Sequence, residues 1–172
     1  DPAAIELARD GAAQGMVLLK NTPGQAMLPL NAATVGNVAV IGPHVRDWYG
    51  RDMGYYYFGA HGCMPVCGTN ATNQGPYYTI ADAFKAHTKN VVKVGGVDNC
   101  STHDESGIPA AVAAASTADT VVLAVGTDLT IASEGTDATN LTLSPAQQTL
   151  ISKVILAAKG KVLVLLTTAV PL

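Results

Sequence analysis

Between Val121 and Val154 the chain reads VVLAVGTDLTIASEGTDATNLTLSPAQQTLISKV, and the acidic side chains of this stretch are its best candidates for chemistry. An apolar run is followed by a polar loop with one glutamate, Glu134, flanked by Asp128 and Asp137, and then by a cleanly started helix. An open α/β sheet usually does its work on the loops that leave the C-terminal ends of its strands.

Other reactive side chains are few. Cys63, Cys67 and Cys100 make an odd count. A Cys63–Cys67 bridge would close a small ring, and either of the two could instead reach Cys100; the spacing leaves the pairing open. Three sequons, Asn70-Ala71-Thr72, Asn99-Cys100-Ser101 and Asn140-Leu141-Thr142, lie in polar segments. With the Cys63/Cys67 pair they predict an oxidising, secretory route and an extracellular protein. The competing reading is three thiols in a cytosolic protein. The Cys63 and Cys67 spacing would permit zinc, but no second pair follows at the usual distance, and His61 and His103 read as solvated loop residues. Neither a metal nor a cofactor is expected. No G-x-G-x-x-G or Walker pattern follows a strand, and no G-x-S-x-G nucleophile turn occurs.

The chain has 172 residues, of which 48% are apolar and 13% charged, with a formal net charge of −3. That is enough for one domain with a core and too apolar for disorder. No cluster of Lys and Arg offers a nucleic-acid footprint, and no apolar run approaches the roughly 20 residues of a membrane span. Neither nucleic acid nor membrane is therefore an expected partner.

The elements that must position the acidic loop alternate along the chain. Pro2 to Leu19 predicts a helix capped by Asp1, with Ile5, Leu7, Ala8, Ala12, Met16 and Leu19 as its apolar stripe and Gly11 and Gly15 as weak points. Val38 to Ile41 reads as a strand buried on both faces. His44 to Tyr78 is a long irregular segment that holds most of the aromatic residues. A helix follows over Thr79 to Thr88, with Ile80, Ala83, Phe84 and His87 on one face. Val91 to Val94 is a second strand, Pro109 to Ala118 an alanine-rich helix, and Val121 to Val125 a third strand. In the next helix Ser144 is the cap, Pro145 the first position and Gln147 the return partner of a capping box. Its buried stripe is Leu150, Ile151, Val154, Ile155 and Ala158, and Gly160 closes it. Val162 to Leu166 is a fourth strand. This alternation predicts an α/β fold with a parallel sheet flanked by helices, a three-layer sandwich of flavodoxin-like topology. Because four strands would leave one face poorly covered, the domain is expected to be incomplete at its C-terminus, a piece of something longer or one chain of an assembly.

Several segments, in order, resemble the C-terminal α/β-sandwich domain of glycoside hydrolase family 3, the β-glucosidases and β-xylosidases. ARDGAAQGMVLLKN and Leu28-Pro29-Leu30 resemble its opening helix and linker turn, and VAVIGP its first strand. The tyrosine cluster between Gly54 and Gly59, ahead of Cys63, is similar to the glycine-tyrosine loop of the xylosidase-type branch. AVAAASTADTVVLAVG, EGTD, NLTL and QQTLI resemble the helix, strand, acid loop and helix that follow. The resemblance implies an opening helix and linker over residues 1–30 and a sandwich domain over residues 31–172. It also implies retaining hydrolysis of terminal β-linked xylose or glucose, with the nucleophile on a preceding barrel domain and the proton donor on a loop of this one. Retaining chemistry needs the two carboxyl groups roughly 5–5.5 Å apart. A chain lacking the nucleophile is expected to be inactive alone.

By this resemblance Glu134 matches the acid-loop glutamate; the plain alternative is a solvated loop residue. Asp128 is a candidate for contact with sugar hydroxyls or for fixing the turn. Tyr55, Tyr56 and Tyr57 could stack on sugar rings or fill the gap to a neighbouring domain. Two positions depart from the xylosidase-type pattern. Ala132 stands where a second glutamate is frequent, and Ala138 where an arginine usually follows the aspartate. Losing that arginine removes a bidentate partner that could orient a carboxylate. The second hypothesis is thus a catalytically degenerate family member that binds glycans or serves as a structural extracellular domain.

Overall fold

The computed structural model describes residues 1–24, 26–45 and 79–172, and the expectations for Tyr55, Tyr56, Tyr57, His61, Cys63, Cys67 and Asn70 lie outside them. It divides into two compact units, Asp1–Leu30 and Asn31–Leu172.

The first unit holds helix α1, Pro2–Gly15, whose N-cap Asp1 accepts a hydrogen bond from Ala3 N. The helix stops at Gly15, not at Leu19 as the stripe predicts, and Met16 is already extended. None of its residues is buried, and Ile5, Leu7, Met16 and Leu19 are all exposed. A helix of this length with no buried residue and two glycines is marginal by itself, and its last turn is the first to be lost. Beyond it, the Asn21 side chain closes the linker. Its Oδ1 accepts from Met27 N and Leu28 N, and its Nδ2 donates to Leu28 O.

The second unit is built on strands β1 (Val38–Ile41), β2 (Val91–Val94), β3 (Thr120–Gly126) and β4 (Lys161–Thr167). They form one parallel sheet in the order β2-β1-β3-β4. The chain steps from β1 to β2 in one direction and then returns past β1 to reach β3. The sheet therefore reverses its winding between β1 and β3, the place where open α/β sheets present a crevice. β1 and β3 are buried along their whole length, which explains their unbroken apolar sequences. β4 is an edge strand, and Val164 and Leu166 remain partly exposed.

Among the described residues three helices lie in the crossovers: α2 (Ile80–Lys85), α3 (Ile108–Thr117) and α4 (Pro145–Ala157). Alternate residues of the two central strands, Ala39, Ile41, Val121 and Leu123, pack against Ala111 and Ala115 of α3 and Leu150 and Val154 of α4. The alanines of α3 let that helix lie close to the sheet. Its N-cap, Gly107, has no side chain to bond the first turn.

Some helix details differ from the periodicity. In α2 the buried residue is Ala81, while Ala83 and His87 of the expected inward face are exposed. Only six residues are helical, so the face is set by the capped first turn. In α4, Ile155 is 46% exposed, and the polar Gln147 is buried in its place. Gly160 is not the cap of α4. The helix ends with Ala158 extended, and Gly160 is required because a β-carbon there would overlap the carbonyl oxygen of Asp119.

The N-terminal edge of the sheet is tied by Asp119. Its Oδ2 accepts from Asn37 N (2.8 Å), its N–H donates to Asn37 O and its carbonyl accepts from Lys161 N. Nearby, the buried Thr120 hydroxyl donates to Val35 O. The C-terminal edge depends on Gly126, where φ is +149° and a β-carbon would overlap the carbonyl oxygen of Thr167 on β4. Gly126→Ala is expected to cost more than about 2 kcal/mol, because both the backbone angle and the strand contact must yield. Denaturant midpoints would check this, and a shift of only a few tenths would show that the strands can part.

Helix α2 carries a full capping box. Asp82 N donates to Thr79 Oγ1, and Asp82 Oδ2 accepts from Thr79 N and Thr79 Oγ1. Lys85 Nζ lies 2.6 Å from Asp82 Oδ1, and this bond, with those from Thr79, holds the carboxyl well below the usual carboxylate range. A depressed folded-state value stabilises above the unfolded value and is lost as pH falls through the folded one. Asp82→Ala should therefore cost about 0.5–1 kcal/mol at neutral pH, the ion pair being half-exposed. Urea titrations of both proteins should show that deficit shrinking progressively below about pH 4.

Candidate functional site

Three loops leave the C-terminal edge of the sheet within reach of one another. After β1 the chain turns through a short 3-10 helix, Pro43–Val45, which buries His44. Gly42 makes this exit possible, since its φ is +131° and a β-carbon would meet the backbone of Ala124. After β2 the chain runs through Gly95 and Gly96 to the fully buried Cys100, whose Sγ lies 3.5 Å from His44 Nε2. After β3 comes the acidic loop.

Gln147, from the first turn of α4, sits where these loops start. It is fully buried, and its amide is used in both senses. Oε1 accepts from Gly126 N (3.0 Å), while Nε2 donates to Gly126 O (3.0 Å) and to Cys100 O (2.9 Å). The sequence expects this side chain to return to the helix cap. Instead only half of the capping box forms: Gln147 N donates weakly to Ser144 Oγ (3.5 Å), and the side chain turns into the core. The reason is energetic. Without the amide, the backbone groups of Gly126 and Cys100 would lose partners in a dry site, at about 1–3 kcal/mol each. A signal was present, because Gln147, Leu150 and Val154 are spaced three and four apart on the buried face.

Asp128 makes the second tie. Its Oδ2 accepts from Cys100 N (3.1 Å), and its Oδ1 accepts from Thr130 N (2.9 Å) and from the Thr130 hydroxyl. Its carbonyl receives Ile131 N and Ala132 N, which coils the loop into a single turn. Both oxygens of this carboxylate are thus spent on the protein's own backbone and hydroxyl groups. Of the two roles open to Asp128, the bonds found are those that fix the turn.

Glu134 stands at the tip of a two-residue hairpin. Ser133 N donates to Thr136 O, and Thr136 N to Ser133 O, both at 2.9 Å. Glu134 and Gly135 are the turning residues, and Gly135 has φ +76°. A negative φ followed by a positive one is the pattern of a type II turn, which calls for glycine at the second position. Glu134 is exposed, and no described residue hydrogen-bonds or pairs with its carboxylate. Ala132 and Ala138 flank the hairpin, half-buried, so neither adds a charge beside it. Asp137 is exposed.

The structure therefore brings Asp128 and Cys100 together and leaves Glu134 reaching outward. Cys63 and Cys67, the other members of the expected bridges, are not among the described residues. Asn99 and Asn140 have the same local geometry. Ser101 N and Oγ donate to Asn99 Oδ1, and Thr142 N and Oγ1 donate to Asn140 Oδ1. They differ in exposure, for Asn140 and both following residues are exposed, whereas Asn99 is half-buried and Cys100 fully buried. His103 is exposed, and among the described residues no group of three or more His, Cys, Asp or Glu could hold a metal ion. No described helix is long and apolar enough to cross a membrane.

Comparison with known proteins gives one answer. Beta-D-xylosidase 3 of Arabidopsis thaliana is 38% identical over 161 residues, covering 94% of this chain and 18% of the relative. Beta-xylosidase/alpha-L-arabinofuranosidase 2 of Medicago sativa is 36% identical over 92% of this chain and 18% of its own length. Among solved structures, a family 3 exo-β-xylosidase in complex with a xylobiose aziridine activity-based probe superposes with a TM-score of 0.72. It is 31% identical and is matched over 94% of this chain and 18% of its own. The chain thus spans about a fifth of the length of these relatives. The family model for the glycosyl hydrolase family 3 C-terminal domain matches residues 16–172, and with the parallel sheet and its acidic loop this shows that the chain belongs to that family.

Proposed function

We propose that this domain supplies the acid/base loop of a secreted β-glycosidase that removes terminal β-linked xylose or glucose with retention. The observation that carries the reading is the contrast between two carboxylates on one loop. Asp128 is consumed in anchoring the loop, while Glu134 is held out on a tight turn with its oxygens uncommitted. Names of the similar proteins supply the substrate class, for most are β-xylosidases.

In this scheme a carboxylate of the barrel domain attacks the anomeric carbon. Glu134 meanwhile protonates the departing glycosidic oxygen, and then, as a carboxylate, it takes a proton from the water that releases the sugar. A donor in this chemistry keeps its proton because a water-poor cleft disfavours the charged form. The walls of such a cleft would come from the barrel. The tyrosines at 55 to 57 would stack on the sugar or line that junction. The degenerate-domain reading draws on Ala132 and Ala138, which leave Glu134 without a neighbouring charge to orient it.

The two readings separate in the full-length protein. Glu134→Gln should lower kcat/KM for xylobiose or cellobiose by about 10²–10⁴-fold. Activated aryl glycosides, whose leaving groups need no proton, should keep a kcat/KM within a few-fold of the parent. Equal behaviour of mutant and parent on both substrates would remove Glu134 from the mechanism.

Secretion is supported by the sequons, and their exposure orders them. On passage through a eukaryotic secretory pathway Asn140 should carry a glycan, whereas Asn99, beside the buried Cys100, should remain largely bare. Peptide mapping after enzymatic deglycosylation in heavy-oxygen water reads each site directly. A secreted product with Asn140 unmodified would contradict the assignment.

A further inference from the structure

We infer that Gln147 is a positioning residue for the Glu134 loop, acting with Asp128 through the peptide backbone of Cys100. The inference rests on the acid/base reading of Glu134 and names what holds that side chain in place.

The geometry is a closed circuit. Gln147 grips both backbone groups of Gly126, the last residue of β3, and with its second amide hydrogen reaches Cys100 O. Asp128, two residues further along the loop, accepts from Cys100 N. The Cys100 residue is therefore held on its carbonyl side by α4 and on its amide side by the acidic loop. Its side chain is fully buried, with Sγ 3.5 Å from His44 Nε2. The root of the loop is thus held at Gly126 and Asp128 by this circuit, and between them Thr127 N donates to Thr167 O of β4, before the chain turns through Thr130 and Ala132 to the hairpin.

A hairpin that carries a proton donor at its tip needs this kind of root. The tip itself makes only the two bonds between Ser133 and Thr136 and touches no other described side chain through hydrogen bonds. Its direction is accordingly inherited from below. On the β4 side Gly126 pairs with Thr167, and on the other side Gln147 alone among the described side chains bonds its N–H and C=O, so a rotation released there would be carried to Glu134, where small misplacements of a general acid are costly. Gln147 is suited to the task because an amide offers donor and acceptor in one plane without burying a charge.

The test uses the full-length protein and four forms: parent, Gln147→Met, Glu134→Gln and the double variant. Methionine keeps the length of the side chain and removes its hydrogen bonds. Gln147→Met should lower kcat/KM for the disaccharide about 10–100-fold, with a loss within about threefold for the activated aryl glycoside. In the Glu134→Gln background the additional loss on the disaccharide should disappear, since the donor it positions is already gone. A lower Tm is expected in either case; a purely structural role predicts instead equal losses on both substrates, or losses that add in the double variant. Either result overturns the inference. Should Gln147→Met fail to accumulate as folded protein, Asp128→Ala decides by the same comparisons, since it releases Cys100 N from the loop side. If Glu134→Gln itself fails to discriminate between the substrates, the acid/base reading falls and this inference with it. If Glu134→Gln discriminates while Gln147→Met and Asp128→Ala do not, only the positioning role falls.

Discussion

The amide of Gln147 meeting the backbone of Gly126 is the contact on which the C-terminal edge of this sheet is organised. β3 is the central strand that carries the acidic loop, and its last residue adopts a backbone angle that only glycine takes easily. In that conformation the N–H and C=O of Gly126 need partners from outside the strand ladder, and Gln147 supplies both. Such a buried, fully satisfied polar group adds little net energy compared with what its loss would cost. What it provides is a fixed direction for the chain as it leaves the sheet.

The two edges of the sheet are secured by different chemistry. At the N-terminal edge, Asp119 collects backbone groups from the segment before β1 and from the start of β4, and Gly36 and Gly160 leave room for it. At the C-terminal edge, Gly42 and Gly126 let neighbouring strands' carbonyls approach. Loops there are drawn together by side-chain bonds to Cys100. The N-terminal edge is thus held mainly by backbone bonds to one aspartate, and the C-terminal edge by side chains that bridge its loops.

The acidic loop shows how one sequence feature can hide two roles. Asp128 and Glu134 are both carboxylates in a polar stretch, yet the first is an internal ligand for Cys100 N and Thr130, and the second is a projecting group on a hairpin. Glu134 is exposed at the tip of that hairpin. The relatives to which the chain is similar are about five times its length by the shares matched.

Among the described residues the order of strands and helices was legible in the amino acids alone, because alternating apolar runs and capped helices carry that information locally. Val38 to Ile41, Val121 to Val125 and Val162 to Leu166 are strands within a residue or so of their expected limits, and Ser144 and Pro145 start a helix as they should. The family was legible too, through ordered segments whose residues serve this fold. The end of α1, the inward face of α2 and the role of Gly160 were not legible, since each depends on what lies beside the element. The destination of Gln147 is the clearest case. At three positions past a serine cap it satisfies the local rule for a capping box, and only the tertiary structure places Gly126 and Cys100 within its reach. A buried pair of backbone groups outbids a solvated cap, because water can replace the cap but cannot reach the core.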